Sequence, residues 1–567
     1  MVTNKKYITN WHTIPWSEIL KIVQDLQNQI VKAQLKNNMS LVYKLQNKLV
    51  SSFEGRALAI RKIVTNSGAK TPGIDKILWT TPEQRFKAIE ELGLITKNPN
   101  KYKSYPLRRV MIPKTNSKEL RPLGIPTMID RAVQSVYYLA VDPVVEARSD
   151  KFSFGFRKNR SQHDAIAYIR SLLDKKSSPE FILEADISKC FDKISHEILI
   201  NYTPICHKHV LKEWLKSGYI YENKLHTTEE GTPQGGIISP MLCNVALNGL
   251  ESNIRKEFPP IKKIDGKTPK INIIRYADDL IVTGENKELL NKVKQMIENF
   301  LKIRDLELKP AKTRIVTIYE GFDFLGFNIT RKPFNPRLNK STKQQTVLII
   351  KPSKKAVISI KTKIRDIIFN NKFEIITIIK EINPVLRGWG NYFNISYHSQ
   401  ATFIKIGHFV WNSMMIWVKK KHPSKSIYKS VSKYIITGKT SSNHKWVWGV
   451  KKPDENKENK LVIINLAEIK PKQHTLLKLD LNPYLSENLA YFNNRLITKN
   501  SAKFRELIFK KYNHQCPICL DSLHNGEKIE LHHIKPVKEG GQYTISNIQP
   551  LHQICHISIT HQTKQIK

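Results

Sequence analysis

Acidic residues close two short apolar runs in the first half of the chain. Phe181 to Ala185 ends in Asp186, and Ile271 to Tyr276 is followed, after Ala277, by Asp278 and Asp279 and then by Leu280-Ile281-Val282. Short apolar runs of this kind read as buried strands, so the acids stand at strand tips and the adjacent pair stands in a hairpin turn. Phosphoryl transfer by two divalent ions about 3.5–4 Å apart needs carboxylate oxygens on rigid supports. Asp186, Asp278 and Asp279 can supply them, although two acids after a strand are also common in ordinary turns.

A second cluster lies near the end of the chain. Cys516-Pro517-Ile518-Cys519 and His552-Gln553-Ile554-Cys555 present two ligand pairs at the same spacing. Together Cys516, Cys519, His552 and Cys555 make a Cys3His set for a structural, tetrahedral Zn2+ site. A tail this short can hardly hold a core without such a metal. Between the pairs stand Glu530-Leu531-His532-His533-Ile534-Lys535-Pro536, Gly540-Gly541 and Asn547, with His556 just beyond.

The elements that must position these groups are legible in outline. Leu20, Val23, Leu26, Ile30 and Ala33 recur at the helical period after Trp16, and Val42, Leu45 and Leu49 predict a second helix. Pro106, Pro113, Pro122, Gly124 and Pro126 punctuate short strands and turns rich in Lys and Arg, whose side chains would face a ligand. After about residue 331 the pattern reads as helical and basic, with aromatic insertions. The polar stretch KKPDENKENK, 451–460, reads as a linker. There is no internal repeat.

Composition bounds the partner. The 567 residues are too many for one core and imply about three to five packed units. Lys plus Arg number 93 against 49 Asp plus Glu, a formal net charge of +44 that points to a polyanion. Half of the six cysteines sit in the C-terminal cluster, which argues for a local metal site and against a disulfide framework. No run approaches the roughly 18 apolar residues of a membrane span, and the N-terminus lacks the features of a secretory or transit segment. No membrane partner and no secretion are expected. The heavy use of Lys, Asn and Ile fits an organelle genome, a chloroplast ahead of a mitochondrion, or else a bacterial cytoplasm.

Several blocks carry a family resemblance. Leu183-Glu184-Ala185-Asp186-Ile187-Ser188-Lys189-Cys190-Phe191-Asp192, Gly231-Thr232-Pro233-Gln234-Gly235-Gly236 and Tyr276-Ala277-Asp278-Asp279 resemble, in order, the catalytic blocks of reverse transcriptases. Ser67 to Asp75 is similar to the N-terminal extension of the group II intron-encoded branch, and Asn383 to Phe393 to its maturase, or thumb, region. The segment from Cys516 to His556 resembles the HNH endonuclease motif, with His552 standing where a cysteine is usual.

The resemblance implies a multidomain α+β protein: a right-hand fold of fingers, palm and thumb, then a helical maturase and DNA-binding region and a ββα-metal HNH module. The implied divisions are 1–85 (helical extension), 86–330 (fingers and palm), 331–445 (thumb and maturase), 446–505 (linker and basic DNA-binding segment) and 506–567 (HNH). Asp186, Asp278 and Asp279 would hold two Mg2+ ions, Lys114 and Arg121 would clamp the dNTP triphosphate, Phe191 would lie under the incoming sugar, and Gln234 would pack against the nucleotide pair. Phe324-Leu325-Gly326-Phe327 would grip the primer. In the HNH module His533 would be the general base, His532 and His556 would bind a divalent ion such as Mg2+, and Asn547 would brace the loop that orients His533. The implied partners are the host group II intron RNA, as a ribonucleoprotein, and double-stranded target DNA, with homodimerisation left open. The implied work is splicing assistance, target-primed reverse transcription and second-strand cleavage; the alternative is a maturase that only promotes splicing and no longer polymerises.

Overall fold

The computed structural model describes residues 8–113, 119–259, 269–333, 346–369, 374–437, 446–452, 459–497, 503–536, 540, 542 and 544–565. Three helices open the chain: Trp16–Leu35, Met39–Ser51 and Phe53–Thr65. The first buries Ile19, Val23, Leu26 and Ile30 on one face, as its periodicity predicts. Asn38 caps the second through the Leu41 amide at 3.0 Å, and Ser52 caps the third through the Gly55 amide at 2.9 Å. All three pack on Met128–Arg148, a helix buried on nearly every face.

The central sheet has four antiparallel strands in the order Asn272–Tyr276, Asp279–Gly284, Phe181–Asp186, Arg314–Thr317. Side chains alternate across a strand, and here each face enters a different core. Leu183, Ala185, Ile273, Leu280 and Val282 join the N-terminal helices. Ile182, Ile274, Ile281 and Val316 join helix Gln162–Leu173 and the later helices Lys354–Phe369, Ile375–Phe393 and Gln400–Lys421. Both faces are buried, which is why the strand sequences read as unbroken apolar runs.

A second sheet carries the basic, proline-punctuated segment. Leu120–Ile125 pairs antiparallel with Leu107–Pro113, which pairs parallel with Tyr219–Tyr221. Two regions differ from the sequence reading. The segment past residue 331 is not simply helical, because Phe327–Pro333 pairs with Thr346–Pro352, a stretch of β-branched and aliphatic residues suited to a pleated surface. Of the stretch 451–460, read as a linker, the described residues Lys451, Lys452, Asn459 and Lys460 lie in paired strands. Trp446–Lys452 and Asn459–Val462 form a hairpin, with Lys451 opposite Lys460, and 453–458 lie outside the described residues. Trp448 is buried against Trp411, with ring centroids 5.0 Å apart. Trp446–Lys452 also pairs with Ile435–Thr437, so the division drawn at 445/446 runs between paired strands.

The C-terminal unit is helix Lys503–Lys511, the antiparallel pair Ile529–His533 and Ile548–His552, and helix Gln553–Gln565. Phe509, Leu523, Leu551 and Ile554 belong to the same core as the N-terminal helices. No helix among the described residues is long and apolar enough to cross a membrane.

Candidate catalytic and metal centres

The sheet register brings the acids together. Asp186 stands opposite Asp279 on neighbouring strands, and Asp278 lies in the two-residue turn before it. That turn needs Ala277 at φ +57°, in the left-handed region. Gly155 lies directly against it: a Cβ there would stand 2.4 Å from the Ala277 nitrogen. Backbone bonds fix the tips, with the Ile187 amide donating to Asp278 O at 3.1 Å and the Lys309 amide to Asp186 O at 2.7 Å.

Burial, a hydrogen bond shared with Asp186 and the charge of Asp278 push the Asp279 carboxyl up to about 7. Burial also raises Asp278, aided by the charge of Asp186 and opposed by Lys312 and Arg121. Lys312 Nζ bonds Asp186 Oδ2 at 2.9 Å. Burial works against the Lys312 charge, yet that bond and the neighbouring acids keep its pKa above the ordinary value. Crowded carboxylates whose ionisation is this costly fit hard divalent cations, which take oxygen ligands.

Of the other polymerase candidates, Arg121 acts on this centre through its charge on Asp278. Phe191 sits in the short helix Cys190–Lys193 with its ring edge-on to Phe156, centroids 6.0 Å apart. Gln234 Nε2 donates to Asp192 Oδ1 at 3.0 Å, and the Thr232 amide donates to Phe191 O at 2.6 Å, so the two blocks are stitched together. Gly235, at φ +112°, lets the chain approach Gly124, whose oxygen a Cβ would meet at 2.7 Å. Arg121 is exposed opposite Ile112 on the basic hairpin, and Lys114 lies outside the described residues. The turn at Leu325 and Gly326 is tied to helix Ile375–Phe393 by Tyr392 Oη, which donates to Leu325 O at 2.8 Å.

In the C-terminal unit the ligand atoms of Cys516, Cys519, His552 and Cys555 all lie within 4.8 Å of one another, buried. His552 Nε2 lies 3.2 Å from Ser522 O, an acceptor, so this nitrogen carries a hydrogen and Nδ1 faces the sulfurs, 3.3 Å from Cys519 Sγ. Burial opposes the imidazolium, but hydrogen bonds to Cys516 and Cys519 hold His552 up to about 10. A proton among sulfurs stands where a cation would, and the donor set fits a thiophilic divalent metal. Hydrogen bonds from Cys519 and Cys555 hold the Cys516 thiol below its ordinary value.

The histidine pair lies beside this cluster. His532 and His556 have ring centroids 4.9 Å apart, and His556 Nδ1 lies 2.7 Å from Glu530 Oε2. Burial and the charges of His556 and His533 lower His532. His533 ends the strand, paired with Ile548. Asn547 pins the following loop, accepting from the Lys535 amide at 2.8 Å and donating to Lys535 O at 3.1 Å and Gln542 O at 2.9 Å. Sequence reasoning missed Gly155, Lys312 and Glu530. Of these, Glu530 stands two residues before a histidine pair, a signal that could have found it; the other two carry none locally.

Known families match in the same order. Models described as N-terminal domain of reverse transcriptase, reverse transcriptase (RNA-dependent DNA polymerase), group II intron maturase-specific domain and HNH endonuclease match residues 11–92, 112–329, 357–435 and 516–562. Protein YkfC of Escherichia coli (strain K12) is 31% identical over 323 residues, covering 50% of this chain and 82% of that protein. Group II intron-encoded protein LtrA of Lactococcus lactis subsp. cremoris is 26% identical over 564 residues, 85% of this chain and 88% of its own. Maturase-like protein 1 of Euglena longa is 25% identical over 434 residues, with 74% and 84% covered. RNA-directed DNA polymerase, maturase and endonuclease therefore share one polypeptide. The chain belongs to the group II intron-encoded reverse transcriptases and maturases, in the form that carries an HNH endonuclease domain.

Proposed function

We propose that residues 86–330 act as the fingers and palm of a right-hand polymerase, residues 331–445 as its thumb and maturase surface, and the last unit as a ββα-metal nuclease. The observation that carries the polymerase reading is Asp186 opposite Asp279 with Asp278 in the adjoining turn. These three carboxylates would hold two Mg2+ ions, and His532 with His556 would hold the nuclease ion. When bound, the ions supply a lowered pKa at the attacking oxygen and charge neutralisation at the phosphate and its leaving group.

The protein's own groups do the positioning. Lys114 and Arg121 bind the dNTP triphosphate, Arg121 through its two-donor guanidinium; support comes from the charge it already exerts on Asp278. Phe191 packs under the sugar, and Gln234 against the nascent pair, a placement supported by its bond to Asp192. In the nuclease His533 takes the proton from water, while Asn547 holds the loop after it, and Cys516, Cys519, His552 and Cys555 hold structural Zn2+. The ribonucleoprotein with intron RNA inserts that RNA into one strand of double-stranded target DNA, the nuclease cuts the other, and the new 3′ end primes cDNA synthesis.

The test is primer extension on an RNA template with Mg2+, comparing the wild-type chain with Asp278→Ala. Extension is expected from the wild type alone. A folded protein that binds intron RNA and extends no primer would instead be a splicing-only maturase.

A further inference from the structure

A residue of the N-terminal helices reaches the C-terminal ligand cluster. Arg61, on helix Phe53–Thr65, has a side chain only 1% exposed. Its Nε and Nη2 donate to the two oxygens of Glu527 at 3.0 and 3.1 Å. The same Nη2 lies 3.5 Å from Cys519 Sγ, 3.9 Å from Cys555 Sγ and 3.5 Å from His552 Nδ1. Nη1 is buried and, among the described residues, has no hydrogen-bond partner. One guanidinium from the polymerase end of the chain thus touches three of the four ligands of a cluster more than 450 residues away in sequence.

The chemistry gives this contact a direction. A buried cation is costly unless paired and hydrogen-bonded, and Glu527 answers its charge but not all its donors. Sulfur bound to a cation is a thiolate, a far better acceptor than a thiol, so the N–H···S bonds from Arg61 strengthen when a metal fills the cluster. Three thiolates and one imidazole around a divalent ion also leave a net negative charge, which the guanidinium faces. The neighbouring Lys62, whose ammonium lies 5.1 Å from the Tyr138 ring centroid, is attracted by the charges of Asp142 of the polymerase and Asp521 of the C-terminal unit.

We propose that Arg61 is a positioning residue that couples metal loading of the Cys3His cluster to docking of the endonuclease on the N-terminal extension of the polymerase. The metal is then an intramolecular latch as well as a staple, and it fixes where the nuclease sits relative to the polymerase carboxylates. This rests on the reading of the four residues as a metal site.

Hydrogen–deuterium exchange on the full-length protein tests it, with and without removal of the cluster metal by a chelator, alongside metal analysis. In the wild type, removal is expected to speed exchange tenfold or more in 53–65 as well as in 506–565. In Arg61→Met, one metal per chain remains bound, exchange in 53–65 is already fast, and chelation changes only 506–565; Arg61→Lys lies between. With Co2+ in the cluster, Arg61→Met should shift the thiolate charge-transfer bands to lower energy, which lost packing alone would not do. If Arg61→Met does not fold, Glu527→Gln and the chelation of wild type give the same reading. Protein that holds no metal at the cluster would overturn the metal-site reading and the latch with it. Bound metal whose removal leaves 53–65 unchanged would overturn the latch alone.

Discussion

Gly155 lies against Ala277 so closely that a methyl group on it would stand 2.4 Å from the Ala277 nitrogen. The turn that aims Asp278 therefore rests on a position with no side chain. Gly155→Ala must push the turn or the chain beneath it. Misplacement on the order of an ångström at a reacting centre costs roughly 10- to 100-fold in rate. Gly155→Ala is expected to lower primer extension by that factor while intron RNA binding stays intact. Full extension activity in the variant would show that the turn tolerates displacement.

A cation held by Asp186, as proposed, would compete with Lys312 for Oδ2, which Lys312 Nζ bonds at 2.9 Å. Lys312→Ala removes the competitor, so Mn2+ titrated into the protein and followed by electron paramagnetic resonance should bind several-fold more tightly. Unchanged or weaker binding would mean that Lys312 leaves Asp186 at no cost.

Asn547 uses both its oxygen and its nitrogen to close the loop after His533. Asn547→Asp keeps the acceptor for the Lys535 amide and loses both donors. Groups that orient a metal or base site from outside it are typically worth roughly 10- to 100-fold. DNA nicking is expected to fall by that factor with primer extension unaltered, and a parallel loss of both activities would point to misfolding instead.

Asp130 offers a stability test by pH. Burial pushes its carboxyl up to about 6 although it accepts from Tyr102 Oη at 2.6 Å, Thr127 Oγ1 at 2.7 Å and the Tyr105 amide at 3.2 Å. The unfolded value is about 3.9, so between these pH values the native state holds a proton that the unfolded state has lost. Its contribution is present below about pH 4 and is lost as pH rises to about 6, a total of at most roughly 3 kcal/mol. Asp130→Asn cannot titrate, and the difference between its unfolding free energy and that of the wild type should change with this sign across the interval. A flat difference would place the native pKa near its unfolded value.

Much of the site was legible because its logic is local. A strand closed by Asp186 and a hairpin closed by Asp278 and Asp279 announce themselves by apolar runs and turn residues, and the CxxC and HxxC pairs by spacing alone. The pairing of Lys451 with Lys460 was hidden because the sequence there is polar, like a linker, while the burial of Trp448 depends on Trp411, a distant residue. Arg61 was invisible for the same reason: on its own helix it is one more basic residue, and only the return of Glu527 and the cysteines buries it.

The central sheet has a practical consequence for anyone shortening this protein. Its two faces belong to separate cores, one shared with the N-terminal helices and the other with helix Gln162–Leu173 and the helices beyond residue 353. A clone ending near residue 333 would keep helix Gln162–Leu173 on this face but strip the later helices from a core that also holds Phe322, Phe324, Phe327 and Ile329. Such a fragment should be recovered as aggregate, and a usable polymerase has to keep the chain at least through the helices that close the second face.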